Sequence, residues 1–144
     1  MTQAQIQSSE TPPQELPYSL VADFGASGTK ALFTDGKFVK LLFMTPEVAD
    51  VPKTSINMFE DDNFNSQSDP PENRAWFCLG QTCKAVGFLA EKRFRATTSL
   101  TVPKFELALS KTLSLLWVTK EKLGLPLEFS CDLSLLLPPS EYND

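Results

Sequence analysis

The sequence predicts an α/β fold in which three short strands, a long excursion, one helix and a final strand follow one another. Three β-forming segments between residues 18 and 44 are separated only by short turns, so they must run antiparallel. Residues 101–123 carry apolar side chains at helical spacing, and residues 131–137 form an apolar run of strand length. A chain of 144 residues has the length of one domain.

The first 44 residues predict two consecutive hairpins. Residues 18–24 are rich in apolar and β-forming types and indicate a buried strand, and the turn over residues 25–28 leads into a second strand over residues 29–34. Asp35-Gly36 is typical of a type I′ hairpin turn, and a third strand is expected over residues 37–44.

Residues 45–100 predict an excursion between the third strand and the helix. Residues 45–73 contain four prolines and an acidic cluster, and this composition favours a long loop or a small excursion. A strand is expected over Trp76 to Gly80. Residues 81–87 fit a turn with a short helix or a strand, and the sequence does not choose between them.

The helix over residues 101–123 is the clearest element. Thr101 can cap it, Pro103 suits its first turn, and Gly124 is typical of its end. One predicted face comprises Phe105, Leu109, Leu113, Leu116 and Lys120, and a second apolar side comprises Leu107, Leu115 and Val118. Apolar residues over so much of the girth predict packing against more than one element. Residues 131–137 then form a buried strand.

Composition excludes several classes of protein. Apolar residues make up 42% and charged residues 22%, as in ordinary globular proteins. No apolar run reaches the ~18 residues of a membrane span, and residues 1–17, predicted to be a disordered tail, lack the pattern of a secretion signal. The absence of histidine excludes Ser-His-Asp catalysis, Cys-His catalysis and histidine-ligated zinc within this chain.

Three cysteines, an odd number, argue against a disulfide framework and favour a reducing, cytoplasmic compartment. They are predicted to be buried or partly buried thiols. The net charge of −5 disfavours direct nucleic-acid binding. Residues 60–72 hold five acids and residues 84–122 hold eight bases, and both runs are interpreted as solvated surface.

The motif that carries chemistry is Asp23-Phe24-Gly25-Ala26-Ser27-Gly28-Thr29-Lys30, which lies between two predicted strands. Glycines let a backbone approach phosphate oxygens, and successive N–H groups in such a turn attract anions. Ser27 and Thr29 add hydroxyl donors, and Lys30 adds a positive charge. Asp23 can hold Mg²⁺ through water. The plain alternative is a β-hairpin whose glycines only make the turn.

The spacing Asp23-x-Gly25-x-x-x-x-Lys30 resembles the first phosphate loop of the actin superfamily of ATPases, whose first subdomain has the same order of elements. Trp76 to Gly80 and the run Leu135 to Tyr142 are similar to stretches of the bacterial ParM/StbA plasmid-partition proteins. The resemblance implies that residues 18–144 are the N-terminal part of an actin-like ATPase domain, incomplete at its C-terminus.

Site roles implied by this resemblance are specific to single residues. Asp23 would face hydrated Mg²⁺, the backbone from Gly25 to Thr29 would wrap the phosphates of ATP, and Lys30 would touch them. Ala26 departs from the family, where a small hydroxyl residue is usual, and Ser27 supplies the nearest hydroxyl.

The expected function is that of the phosphate-loop portion of an ATP-binding, filament-forming protein for plasmid or DNA segregation. Expected partners are further copies or filament subunits and a DNA-bound adaptor protein, without membrane binding. The second phosphate loop and second domain of the family have no counterpart here, so 144 residues alone are not expected to hydrolyse ATP. Two alternatives stay open, namely a fragment of a small-molecule kinase of the same superfamily and a non-enzymatic interaction module. Because strand 131–137 and the helix would lack family partners, exposed apolar surface is expected to favour self-association.

Overall fold

The computed structural model describes residues 18–63, 69–97 and 104–137. The elements in chain order are β1 (Tyr18–Gly25), β2 (Gly28–Thr34), β3 (Val39–Met44), β4 (Val48–Pro52), α1 (Lys53–Asn63), a 3-10 turn (Pro71–Asn73), β5 (Trp76–Leu79), β6 (Thr82–Val86), α2 (Phe88–Lys92), α3 (Lys104–Leu123) and β7 (Cys131–Leu136). The fold is mixed α/β, as the sequence predicts. The predicted tail over residues 1–17, Thr101, Pro103 and the exit after residue 137 lie outside the described residues.

The larger sheet has four strands in the order β3-β2-β1-β7. β1, β2 and β3 pair antiparallel with their neighbours, which confirms the two predicted hairpins. β7 pairs with β1 in parallel, and α3 precedes it in the chain. A strand that joins a sheet in parallel needs a long crossover connection, and α3 belongs to that connection.

The core lies between one face of this sheet and α3. Leu20, Ala22 and Phe24 of β1 alternate with exposed residues and are at most 1% exposed, and they share a cluster with Leu115 and Val118 of α3. We call this the inner face of the sheet, and the opposite face, which carries Val21 and Asp23, the outer face. The strict alternation along β1 arises because successive side chains of a strand point to opposite faces.

The side of α3 that packs on the sheet is the second of the two apolar sides. Leu115 and Val118 are fully buried, whereas Leu109 is 62% exposed and Leu113 is 37% exposed. The side that contains Leu109 and Leu113 is therefore not the one that packs on the sheet. The predicted end of the helix is confirmed, because Gly124 adopts a left-handed φ of 62°.

β7 is an edge strand, which corrects the prediction of a buried one. It pairs only with β1 within the described residues, and Leu133 and Leu136 are 40% and 54% exposed. An apolar run of this length fits a buried strand equally well, because the run does not reveal how many neighbours the strand will have.

Of the two predictions for residues 45–73, the long loop is wrong, since this part of the chain contains β4 and the eleven-residue helix α1. β4, β6 and β5 form a second sheet in the order β4-β6-β5. A second core forms around Val51, Ile56 and Phe59. The strand predicted over Trp76 to Gly80 is confirmed, and the ambiguous segment 81–87 contains the strand β6.

The acidic cluster is only partly a solvated surface. Glu60 accepts a hydrogen bond of 2.7 Å from the indole N–H of Trp76, and Asp62 pairs with Arg93 at 2.8 Å. Glu72 pairs with Lys122 of α3. Three of the five acids therefore link separate elements of the fold.

Cys78 and Cys83 lie opposite each other in the β5–β6 hairpin and are joined by a disulfide. The prediction of free thiols is wrong for these two, because an odd count excludes complete pairing but permits one pair. Cys131 is a free thiol, and burial raises its pKa.

The β2–β3 hairpin is confirmed, but its turn is not of type I′. Gly36 has a φ of 91°, whereas Asp35 has no positive φ, which that turn type requires. The Asp35 carboxylate instead accepts hydrogen bonds from the backbone N–H groups of Lys37 and Phe38, at 2.8 and 3.0 Å. These hydrogen bonds hold the pKa of Asp35 below its ordinary value.

Candidate functional site

The motif that resembles a phosphate loop forms the β1–β2 hairpin. Gly25 pairs with Gly28, so that only Ala26 and Ser27 form the turn. This short turn fixes the register, and Asp23 therefore lies directly opposite Lys30. Both side chains are exposed on the outer face. The short turn thus places the acid Asp23 and the base Lys30 side by side on adjacent strands.

Asp23 and Lys30 form no ion pair with other described residues. Cβ atoms of directly opposite residues are about 4.5–5.5 Å apart in an antiparallel pair. The two charges are therefore neighbours that stay available to a third group. A phosphate with a bound cation is one such group, since it presents both signs of charge.

Gly25 and Gly28 follow Asp23 and Lys30 on the outer face, at the tip of the hairpin. Neither has a positive φ, so backbone conformation does not demand glycine at either position. A Cβ at Gly25 would lie 2.9 Å from the carbonyl oxygen of Gly28. The close approach of the two strand ends therefore explains the glycine at position 25.

The ring of Phe43 covers Gly28 on this face. A Cβ at Gly28 would lie 2.3 Å from the ring atom Cε2 of Phe43. The Phe43 ring also borders Phe88 at the start of α2, with 6.2 Å between the ring centroids. Close packing therefore explains the second glycine as well as the first, without any ligand.

Thr29 does not join the charged pair. Its side chain points to the inner face and is 1% exposed, and its Oγ1 has no hydrogen-bond partner among the described residues. Its backbone belongs to the hairpin, but its hydroxyl lies on the other side of the sheet from Asp23 and Lys30. Of the two predicted hydroxyl donors, only Ser27 is exposed in the turn.

Lys111 lies beneath the hairpin and was interpreted from the sequence as part of a solvated basic run. It is 4% exposed, and its Nζ lies 5.9 Å from the centroid of the Phe24 ring on the inner face. The signal that could have found it is its helical spacing, because Lys111 lies three residues after Ala108 and four before Leu115, both of which are buried.

The hairpin lies at the carboxyl end of the parallel pair β1 and β7. α3 runs antiparallel to β1, since Lys111 lies near Phe24, whereas Phe129, beyond the end of the helix, contacts Tyr18 at the start of β1. The beginning of α3 is therefore at the hairpin end of the sheet. In α/β sheets, ligands bind preferentially outside the carboxyl ends of the parallel strands.

An open groove of about 480 Å³ runs along the outer face beside the charged pair. Its walls are mostly apolar and are formed by Val21, Leu32, Leu41, Phe43 and Leu136, with Asp23 and Lys30 as the charged members. The sequence predicts exposed apolar surface in general terms, but it did not identify this face.

No group of three or more histidine, cysteine, aspartate or glutamate side chains in the described ranges could hold a metal ion. Asp23 would therefore hold a divalent cation only together with water and ligand oxygens. Within the same ranges, no helix is both long and apolar enough to cross a membrane.

Comparison of the chain with protein-family models, with curated proteins and with solved structures found no match.

Proposed function

We propose that the β1–β2 hairpin is the phosphate-binding element of an actin-like, ATP-binding protein that assembles into filaments and acts in plasmid or DNA segregation. The single observation that carries the proposal is the juxtaposition of Asp23 and Lys30 beside the exposed Ala26–Ser27 turn, at the carboxyl end of the parallel pair. The plain alternative is a hairpin in which the acid and the base only stabilise the strand pair, and it predicts no nucleotide binding.

The residues present fit MgATP in chemical type. Lys30 carries the positive charge for phosphate oxygens, and the turn at Ala26 and Ser27 is exposed for backbone and hydroxyl contacts. Asp23 is the one carboxylate that the described residues place in this groove, which suits Mg²⁺, because that ion usually keeps several waters and takes one or two carboxylates. When bound, the cation would neutralise phosphate charge. The proposal assigns binding and no hydrolytic step to these residues.

The test is MgATP binding by the 144-residue protein, measured by titration calorimetry for the wild type, Asp23→Asn and Lys30→Gln. A contact to a charged group contributes about 1.5–3 kcal/mol, so each substitution should weaken binding roughly tenfold to a hundredfold. Removal of Mg²⁺ separates the two roles. The effect of Lys30→Gln should persist without the cation, whereas the effect of Asp23→Asn should disappear.

Asp132→Asn and Lys37→Gln are matched controls, because both residues are exposed and lie at the opposite end of the same sheet. Neither should change the affinity. Equal MgATP affinity in the wild type and both hairpin variants would refute the proposal.

A second candidate function is a non-enzymatic interaction module, and the apolar groove on the outer face favours it. This function predicts stable folding without nucleotide and no loss of function in Asp23→Ala or Lys30→Ala. A partner-binding assay with these two variants separates it from the first proposal.

A further inference from the structure

The outer face of the four-stranded sheet is an apolar surface that no described element covers. Val21, Leu32, Leu41 and Phe43 point out from this face and are between 37% and 74% exposed. α3 packs on the inner face instead, and Phe88 of α2 borders only the corner at Phe43. Contiguous apolar patches of this kind mark interaction sites.

The strand register arranges this face in three cross-strand rows, each read from β7 through β1 and β2 to β3. The rows are Leu136–Asp23–Lys30–Phe43, Ser134–Val21–Leu32–Leu41 and Asp132–Ser19–Thr34–Val39. In the first row, the two charges occupy the two central strands and a large apolar residue lies on either side. That row therefore has the same chemical pattern in both directions, with the sign of the charge reversed.

We propose that the outer face binds a second copy of this chain, sheet against sheet, about a two-fold axis that runs parallel to the strands between β1 and β2. This axis lies in the interface, above the middle of the four-stranded sheet, and it reverses every row, so that Ser134 faces Leu41 and, at a corner of the patch, Asp132 faces Val39. Asp23 then faces Lys30 of the second copy, and Lys30 faces the second copy's Asp23. Leu136 faces Phe43, and Val21 faces Leu32, each twice because the interface is symmetric.

The charges of Asp23 and Lys30 are the reason to propose a second copy of the chain as the partner that binds this face. Asp23 and Lys30 have no ion-pair partner among the described residues, and burying an unpaired charge is costly. A purely apolar partner would bury the two charges with no counterion except each other. A second copy provides an opposite charge for each of them across the interface, and it places Phe43 against Leu136 and Leu32 against Val21.

The size of the face predicts a weak dimer. Four strands about 4.8 Å apart and six residues of about 3.3 Å each give a flat patch of about 400 Å² per copy. The two patches together come close to the lower limit of about 1,000 Å² for a specific interface. Packed sheets lie about 10 Å apart with their strands within about 30°, so the rows can meet across the interface. We therefore expect dimerisation that depends on concentration over the micromolar range.

The test is a charge exchange, measured by sedimentation velocity of the 144-residue protein over a range of concentrations. Asp23→Lys and Lys30→Asp should each weaken dimerisation at least tenfold, because two attractive pairs become two repulsive ones. The double variant Asp23→Lys/Lys30→Asp restores opposite charges across the axis and should dimerise like the wild type. Lys37→Asp, an exposed change in the β2–β3 turn, is the control and should have no effect.

A monomer at every concentration would overturn the inference. It would equally be overturned if the double variant stayed as weak as the single ones, or if dimerisation appeared only after removal of residues 1–17, since that segment would then be the occupant. Leu41→Gln, an exposed change within the patch, gives a second measurement and should weaken the dimer without unfolding the protein. The inference does not depend on nucleotide binding, because the double variant should keep the dimer while losing the arrangement proposed for MgATP.

Discussion

Gly28 and Phe43 form the contact that shapes the hairpin at the scale of single residues. Gly28 has no Cβ, and this leaves room for the Phe43 ring. A Cβ at this position would lie 2.3 Å from the ring atom Cε2. Phe43 is 45% exposed, so the ring can swing away from an added methyl group at the cost of its present packing. Glycine is therefore required at this position by the packing of the Phe43 ring and not by the backbone conformation of Gly28.

We predict that Gly28→Ala lowers the free energy of unfolding by about 1 kcal/mol, the scale of one displaced side-chain rotamer. In a Phe43→Ala background, the same substitution should change stability by less than about 0.5 kcal/mol, because the ring is gone and alanine is better tolerated than glycine in a strand. Urea unfolding of the four proteins gives this double-mutant cycle. Equal costs in the two backgrounds would show that the Phe43 contact does not determine the effect.

The pairing of Asp23 with Lys30 shows how much of the site could be predicted from the sequence at the scale of single residues. The spacing of acid, glycine and base predicted a hairpin with a charged motif, and a two-residue turn brings the two charges together. The orientation of the Thr29 side chain was also predictable, because Thr29 is one residue from Lys30 in a strand and must point to the other face. The contact of the Phe43 ring with Gly28 was not predictable, since it depends on the register between β2 and β3.

α3 is the element for which the sequence leaves two answers open. Its apolar residues cover two sides, and the side that packs on the sheet also contains Ser110, Lys111, Thr112 and Ser114, all of them buried. These polar residues make the buried side look like the solvated one in a hydropathy pattern. The exposed side, with Leu109 and Leu113, has the cleaner periodicity, so the hydropathy pattern alone does not show which side packs on the sheet.

We predict that Leu115→Ala lowers the free energy of unfolding by about 2–5 kcal/mol, because Leu115 is fully buried and its removal leaves a cavity. Leu109→Ala is the matched control, since it makes the same change on the same helix at a residue that is 62% exposed. Its cost should stay within about 0.5 kcal/mol. Thermal or urea unfolding of both variants checks this, and similar losses in the two would mean that α3 packs through the Leu109 side.

α1 and the second sheet explain why the excursion was missed. Within α1, Ile56 and Phe59 are the buried apolar residues, so a helix of eleven residues shows less than a full period of signal. Pro52 directly before it and the acids at its end also favour a loop. The helix is held by contacts from distant segments, including the Asp62–Arg93 ion pair and the Glu60–Trp76 hydrogen bond, which local sequence cannot reveal.

At the scale of the whole molecule, the two proposals use the same two side chains. Asp23 and Lys30 are assigned to MgATP in one state and to the second copy in the other, and both ligands approach the outer face. A single pair of charges cannot serve both at once. Binding of nucleotide and formation of the dimer should therefore exclude each other, and by linkage each should weaken the other.

We predict that MgATP shifts the protein from dimer to monomer. If each monomer binds one nucleotide and the dimer binds none, MgATP at ten times its dissociation constant raises the apparent dimer dissociation constant by about a hundredfold. Sedimentation velocity with and without MgATP measures this shift. The Asp23→Lys/Lys30→Asp variant is the control, because its dimer should form and should not respond to the nucleotide. A dimer that MgATP leaves unchanged or strengthens would place the two sites on separate surfaces.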